Sequence, residues 1–262
     1  MIYLSLGAGV QSTALLVLSN EGKVPRADYC VFADTQSEPS YVMEYLEVLK
    51  SYSKIPIVTC TAGSLEQDIL NSRDRGTTFA SIPGFTEFAG KAGMLRRQCT
   101  REYKINPIYK KVRELAGYKP RQRIKEKITS MIGISWDERR RMKPSWVPYI
   151  ENKWPLVENY IRRGDCLKIV TDAGLPEPKK SACYFCPYHD NKFWLEMKTN
   201  DPETWQRAVK MDHAVRNMTK AGIKHPMYLH PDCEPLDEVD LTDPYINQMD
   251  MFKTECEGMC GV

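Results

Sequence analysis

The first sixteen residues, MIYLSLGAGVQSTALL, constrain the fold of this chain more than any other stretch. Residues 1–6 form an apolar run long enough for one buried strand, and residues 14–18 form a second apolar run that suits a helix. Between them, the small residues Gly7, Ala8 and Gly9 permit a sharp turn. Such a unit directs backbone N–H groups and the positive end of a helix to one point, which favours a phosphate group. The alternative is an ordinary strand-to-helix turn.

The segment GAGVQSTALL has neither the Gly-Lys-Ser/Thr of a Walker loop nor the third glycine of a dinucleotide-binding fingerprint. It resembles the PP-loop of the adenine nucleotide alpha-hydrolase superfamily, in which an SGGxDS motif wraps the pyrophosphate of ATP. Gln11 stands where that family has an acid, which affects how a metal and the pyrophosphate would be arranged. The resemblance implies a site for ATP or another adenine nucleotide, with magnesium as a further candidate, formed by Ser5, Gly7, Ala8, Gly9, Gln11, Ser12 and Thr13.

Two later strand ends are predicted to join this site. Residues 27–33 form a β-rich run that ends at Asp34 and Thr35, and residues 128–134 form another with Gly133 near its end. The order strand–helix–strand predicts a parallel sheet, whose ligand crevice lies beyond the carboxyl ends of the strands. Both ends also resemble superfamily motifs, which places Asp34, Thr35 and Gly133 at the nucleotide. For Asp34, a helix cap or turn is the alternative.

The remaining pattern predicts an α/β fold with a parallel, Rossmann-like sheet of the PP-loop type flanked by helices. We expect a further strand at residues 55–60, helices at residues 64–70, 107–115 and 160–173, and a long loop at residues 71–98. From residue 176 onward prolines become frequent and short helices dominate. We therefore predict a nucleotide-binding domain over residues 1–175 and a small, mostly helical, cysteine-containing region with a mobile tail over residues 176–262.

Composition favours a cytoplasmic protein with an anionic partner. No stretch is long and apolar enough to span a membrane, and the N-terminal residues do not have the pattern of a signal peptide. Nine cysteines without such a signal suit a reduced compartment. Residues 91–143 hold 17 Lys and Arg against five Asp and Glu, although the whole chain has a net charge of +3. This basic stretch suggests DNA, tRNA or nucleotide phosphates as partners, while solvated helix faces are the alternative.

Cys183 and Cys186 form a CxxC pair, which suits zinc, an iron–sulfur cluster or a redox disulfide. Upstream, QCTREYKINPI resembles the cysteine motif of adenylyl-sulfate (APS) reductases. The resemblance implies that Cys99 joins the pair as the third ligand of a [4Fe–4S] cluster with one open iron, and it adds Arg101 and Lys104 as candidate catalytic residues. Structural zinc, with Cys99 as a buried small residue, is the alternative.

The last ten residues, KTECEGMCGV, resemble the tail of phosphoadenylyl-sulfate (PAPS) and APS reductases, whose cysteine attacks the sulfonucleotide. The resemblance makes Cys256 and Cys260 candidate catalytic residues. An inserted Glu257 and a missing histidine depart from the pattern.

Together these motifs indicate a PAPS-reductase-like PP-loop enzyme, similar to DNA phosphorothioation and tRNA thiolation enzymes. The leading hypothesis is ATP-dependent adenylation and sulfur transfer on a nucleic acid, with a sulfur donor as partner. The second is a sulfonucleotide reductase that uses Cys256 and a thioredoxin-like reductant. The third is a non-catalytic metal-containing or iron–sulfur nucleic-acid-binding module. The sequence does not determine the oligomeric state.

Overall fold

The computed structural model describes residues 1–76, 82–88 and 90–242 of the 262-residue chain. Its strands are β1 (Ile2–Leu6), β2 (Tyr29–Asp34), β3 (Ile57–Thr61), β4 (Phe85–Phe88), β5 (Lys91–Met94), β6 (Ile128–Ile132), β7 (Ile150–Lys153) and β8 (Met227–Tyr228). Its α-helices are α1 (Val10–Asn20), α2 (Ser40–Tyr52), α3 (Leu65–Arg75), α4 (Asn106–Leu115), α5 (Pro155–Glu158), α6 (Arg163–Asp172), α7 (Asn191–Asn200) and α8 (Pro202–Val215). A π-helical turn, Thr100–Ile105, leads directly into α4.

Five strands form a parallel sheet in the order β3-β2-β1-β6-β7. The chain builds one half of the sheet outward from β1 to β3 and then returns to the other side of β1 to add β6 and β7. The strand order therefore reverses between β1 and β6, and ligands of such sheets bind at this reversal, beyond the carboxyl ends of the strands. The predicted α/β class is confirmed.

Helices cover both faces of this sheet because the side chains of each strand alternate between the two faces. Leu4 and Leu6 of β1 belong to a core formed with residues of α1, α2 and α6, whereas Tyr3 belongs to a second core formed with residues of α4. Burial on both faces explains why β1 reads as a nearly continuous apolar run.

A third core joins both parts of the chain. It combines Leu65 and Ile69 of α3 with Trp194 of α7 and Trp205 of α8. A small antiparallel sheet in the order β5-β4-β8 makes the same connection through backbone hydrogen bonds. Residues on both sides of the predicted boundary at residue 175 thus share one core, and the independence of the two regions stays a prediction.

The structure differs from the expected element bounds in three places. Residues 71–98 are not a single loop: α3 continues to Arg75 and is capped by Gly76 in the left-handed conformation, and β4 and β5 form a hairpin. Strand β7 was not predicted, because its sequence IENK is polar and typical of a sheet edge. The helix expected at residues 160–173 begins only at Arg163, since Tyr160 has a φ of 58° that no helix allows.

None of the helices in the described part of the chain combines the length and apolar character needed to cross a lipid bilayer.

Candidate functional site

The loop after β1 is held by one hydroxyl group. Ser12 Oγ accepts hydrogen bonds from the backbone N–H of Gly7 at 3.2 Å and of Gly9 at 3.3 Å, and it donates to the Gly9 carbonyl at 3.2 Å. Ala8 between them has a φ of 58°, the left-handed region. Gly9 is the N-cap of α1 and supplies no side-chain cap. The first-turn N–H groups, which lack intrahelical partners, therefore have no side-chain cap at the carboxyl edge of the sheet.

Gly133 allows the loop after β6 to touch the first turn of α1. A Cβ atom at this position would lie 2.8 Å from the backbone nitrogen and 2.9 Å from the Cα of Ser12. Because backbone atoms cannot move aside as a flexible side chain would, only glycine fits here without displacing the helix. The strands β2, β1 and β6 are neighbours in the parallel sheet, because β1 pairs with both β2 and β6. The three predicted segments around residues 7–13, 34–35 and 133 therefore lie together at the carboxyl ends of these strands.

Gln11 is fully buried and links two parts of the site. Its Oε1 accepts a hydrogen bond from Arg163 Nη1 at 2.7 Å, and its Nε2 donates to Glu138 Oε2 at 3.2 Å. Glu138 is also paired with Arg141. An amide suits this position because it presents an acceptor to a cation and a donor to a carboxylate. The PP-loop family that this segment resembles has an acid at the position of Gln11. A carboxylate here would be repelled by the negative charge of Glu138.

A cysteine from the C-terminal region lies against the end of β2. Thr35 Oγ1 donates to the Glu38 carboxylate at 2.9 Å, and the Cys183 Sγ lies 3.3 Å from the same Oγ1. The hydroxyl proton of Thr35 is already directed to Glu38, so the thiol of Cys183 is the donor to Thr35. A second contact, the Tyr184 N–H to the Ser37 carbonyl at 3.0 Å, holds the two loops together.

Lys104 places a positive charge beside this chain of hydrogen bonds. Its Nζ lies 3.8 Å from Glu38 Oε1, and both side chains are largely buried. Burial raises the pKa of Glu38, and the attraction of Lys104 opposes that rise. Burial also raises the pKa of the Cys183 thiol, with the Glu38 charge adding to the shift and Lys104 opposing it. At neutral pH Cys183 is therefore a thiol that needs a proton acceptor to become a thiolate.

A small cavity lies beside these groups, lined by Leu6, Gly7, Phe32, Ala33, Glu38, Lys104, Ile108 and Ser181. The Ser181 hydroxyl is buried and has no hydrogen-bond partner among the described residues. A buried hydroxyl without a partner is costly, and this cavity of about 10 Å³ has room for one water that could satisfy it. The uncapped helix start and the Lys104 ammonium favour a phosphate group near Gly7, which borders the same cavity as Lys104.

The CxxC pair forms a tight turn, in which the Cys186 N–H donates to the Cys183 carbonyl at 2.9 Å. His189 Nε2 also approaches that carbonyl, at 2.9 Å, and burial holds the pKa of this imidazole well below its usual range.

Within the described ranges, no three or more His, Cys, Asp or Glu side chains are arranged to hold a metal ion. The described thiols thus do not form a ready three-thiolate set, and the [4Fe–4S] cluster and its zinc alternative stay predictions. Magnesium, which nucleotide phosphates would largely hold, also stays a prediction.

Several predicted site residues lie elsewhere. Arg101 is exposed, and its guanidinium carbon lies 5.4 Å from the ring centre of Trp146 rather than in the cavity. Cys99 immediately precedes the π-helical turn and packs against the core of α7 and α8. Cys256 and Cys260 lie outside the described residues.

Four residues complete the site but are not among the site residues predicted from the sequence: Glu38, Glu138, Arg163 and Ser181. Glu38 and Glu138 do lie within the two strand-end segments that resemble superfamily motifs, Glu38 three positions after Thr35 and just before α2. Arg163 and Gln11 are 152 positions apart in the sequence, and no local sequence pattern predicts a contact over such a separation.

Comparisons with known proteins do not assign a family to this chain. No protein-family model matches the chain, and no significant match is found among curated proteins. Among solved structures, the chain is similar to a PAPS reductase from Candida auris in a phosphate complex, with a TM-score of 0.42 and 12% identity over 68% of this chain and 74% of that chain. A likeness this distant says nothing about substrate or reaction, and the expected family stays a prediction.

Proposed function

We propose that this protein is an enzyme that binds ATP at the β1–α1 loop and transfers sulfur to a nucleic acid. The observation that carries the proposal is the position of Cys183, whose thiol lies 3.3 Å from Thr35 Oγ1 at the carboxyl end of β2. A sulfur atom is thereby located at the edge of the sheet where the nucleotide is expected. The predicted cytoplasmic setting and the sulfur donor belong to the same proposal.

The nucleotide would be held by main-chain and side-chain groups already present at this edge. Backbone N–H groups at the start of α1 and the positive end of the helix would bind the phosphates. Lys104 would add a positive charge at the same end of the sheet. ATP would then activate an acceptor oxygen: that oxygen forms a bond to the α-phosphorus, and the bond to pyrophosphate breaks.

Cys183 would supply the sulfur in the second step. Its proton passes to Thr35 while the Thr35 proton passes to Glu38, whose raised pKa makes its carboxylate a better proton acceptor than an exposed glutamate. A persulfide donor transfers its outer sulfur atom to the Cys183 thiolate and leaves as a thiol. The resulting Cys183 persulfide attacks the carbon or phosphorus that bears the adenylated oxygen and displaces AMP. The neighbouring Cys186 thiol then attacks the Cys183 sulfur, which releases the thiolated product and leaves a disulfide for an external dithiol to reduce.

Equilibrium binding of ATP to Ser12→Ala tests the nucleotide part of the proposal. Loss of the hydroxyl removes the hydrogen bonds that hold Gly7 and Gly9, and we expect ATP binding to weaken by about fivefold to thirtyfold. The matched control is Ser19→Ala at the other end of α1, where the hydroxyl donates to the Pro25 carbonyl and accepts from the Ala27 N–H, far from the phosphates.

Two results would overturn the proposal. Equal ATP affinity in Ser12→Ala and the wild type would remove the nucleotide from the β1–α1 loop. Tight binding of a sulfonucleotide without ATP binding would instead favour the reductase hypothesis.

A further inference from the structure

Two aromatic rings are exposed in the segments that follow β6 and β7. Trp146 is 48% exposed and Tyr160 is 68% exposed, although large rings are normally kept from water. Trp146 borders a cavity whose floor includes Ile132 and Ile134 at the end of β6. Tyr160 lies beyond the end of β7, with its ring centre 4.7 Å from that of Trp136.

Each exposed ring is accompanied by an arginine. The Arg101 guanidinium lies 5.4 Å from the ring centre of Trp146. The Arg139 guanidinium lies 4.7 Å from the ring centre of Trp136, which in turn contacts Tyr160. We name these five residues, Arg101, Trp136, Arg139, Trp146 and Tyr160, the aromatic rim.

The loop between β6 and β7, which carries Trp136, Arg139 and Trp146, is positively charged. Its charged residues are Arg139, Arg140, Arg141 and Lys143 against Asp137 and Glu138. The two nearest carboxylates in sequence are already engaged, because Glu138 pairs with Arg141 and Asp137 accepts the Arg163 N–H at 3.0 Å. A polyanion that contacts this loop would therefore meet more cations than free carboxylates.

We infer that the aromatic rim binds an unpaired stretch of nucleic acid, with bases stacked on Trp146 and Tyr160 and phosphates on the arginines. Exposed rings favour a single strand, because the bases of a duplex already stack on each other and hide their faces. The inference rests on the proposed function only in taking a nucleic acid as the acceptor, and it names the form of that acceptor and the residues that hold it.

Fluorescence anisotropy with labelled single-stranded DNA, single-stranded RNA and duplex DNA of equal length tests this inference. We expect single strands to bind more tightly than the duplex, and Trp146→Ala and Tyr160→Ala each to weaken single-strand binding about fivefold or more. Trp146→Phe keeps a stacking ring and should retain most of the affinity. The matched control is Phe88→Ala, since Phe88 is also 68% exposed but lies on β4 in the other sheet.

Comparison of the DNA and RNA arms tells which strand is the natural acceptor. The inference fails if no single strand binds at low salt, if the duplex binds as well as the single strands, or if Phe88→Ala weakens binding as much as Trp146→Ala does. ATP binding to the wild type is measured in parallel. ATP binding without strand binding contradicts this inference alone, whereas strand binding without ATP binding contradicts the proposed function alone.

Discussion

At the scale of single residues, Glu38 connects the charge, the thiol and the cavity of the candidate site. Its carboxylate accepts the Thr35 hydroxyl proton at 2.9 Å and lies 3.8 Å from the Lys104 ammonium. Burial nevertheless raises its pKa, because one partly desolvated ion pair does not replace the water that the carboxylate loses. The raised pKa makes this carboxylate a better proton acceptor than an exposed glutamate.

In Glu38→Gln, the free energy of unfolding relative to that of the wild type should increase as pH rises. A carboxyl group whose folded-state pKa is raised favours folding below the ordinary glutamate pKa, and this advantage is lost as pH rises through the raised value. Glutamine does not titrate, so the free energy of unfolding of the variant minus that of the wild type should grow from about pH 4.5 upward and then level off. Urea unfolding over this pH range measures the difference.

The control for this substitution is Glu47→Gln on α2, where the glutamate side chain is exposed and pairs with Lys50. Its difference from the wild type should stay small across the same range. Parallel curves for wild type and Glu38→Gln would show that burial does not raise the pKa of Glu38.

At the scale of elements, the site depends on how closely α1 approaches the end of β6. Gly133 makes that approach possible, since a Cβ would meet the backbone of Ser12 and Gln11 at 3.0 Å or less. Gln11 then fixes the same helix start to Glu138 and Arg163. The position of the first turn of α1 therefore depends on Gly133, Glu138 and Arg163, which follow β6 in the chain, as well as on the loop before the helix.

Substitution Gly133→Ala should destabilise the protein by about 1–3 kcal/mol, because the methyl group forces a backbone shift in a packed region. The matched control is Gly164→Ala in α6, where the added Cβ would have no atom within 4 Å apart from its chain neighbours and its own helix backbone among the described residues. That substitution should instead stabilise by about 0.4–1 kcal/mol, since alanine restricts the unfolded chain. Urea unfolding measures the free energy of unfolding of both variants. If Gly133→Ala leaves this free energy unchanged, the start of α1 can move to accommodate the methyl group.

The elements that sequence reasoning predicted are those with strong local patterns. The structure has a strand at the apolar run of β1, as expected. It also places the turn at residues 7–9 and the strand end at Asp34–Thr35 at the carboxyl ends of neighbouring parallel strands. Strand β7 and the hairpin of β4 and β5 were missed because pairing partners distant in sequence define them: Asn152 of β7 pairs with Ser130, and Phe85 pairs with Tyr228. The contact of Cys183 with Thr35 spans 148 positions and was likewise beyond any local pattern.

At the scale of the whole molecule, the C-terminal region completes a core that begins in the first part of the chain. Leu65 and Ile69 of α3 are almost fully buried, and they pack with residues of α7 and α8. Within that region, Asp212 is fully buried and accepts the backbone N–H groups of Leu229 and Leu236. The segment that carries Cys183 is thus attached to the rest of the molecule through an apolar interface and not only through its own loop.

A fragment of residues 1–175 should therefore fail to fold as a stable unit. Removal of the later residues exposes the apolar side of α3 and leaves β4 without β8, so we expect strong binding of the dye ANS and a broad, weakly cooperative urea transition. The control fragment, residues 1–242, keeps every element described here and should unfold in one sharp transition. A sharp transition without ANS binding in residues 1–175 would show instead that the parallel sheet is an independent domain, onto which the cysteine-bearing region is merely attached.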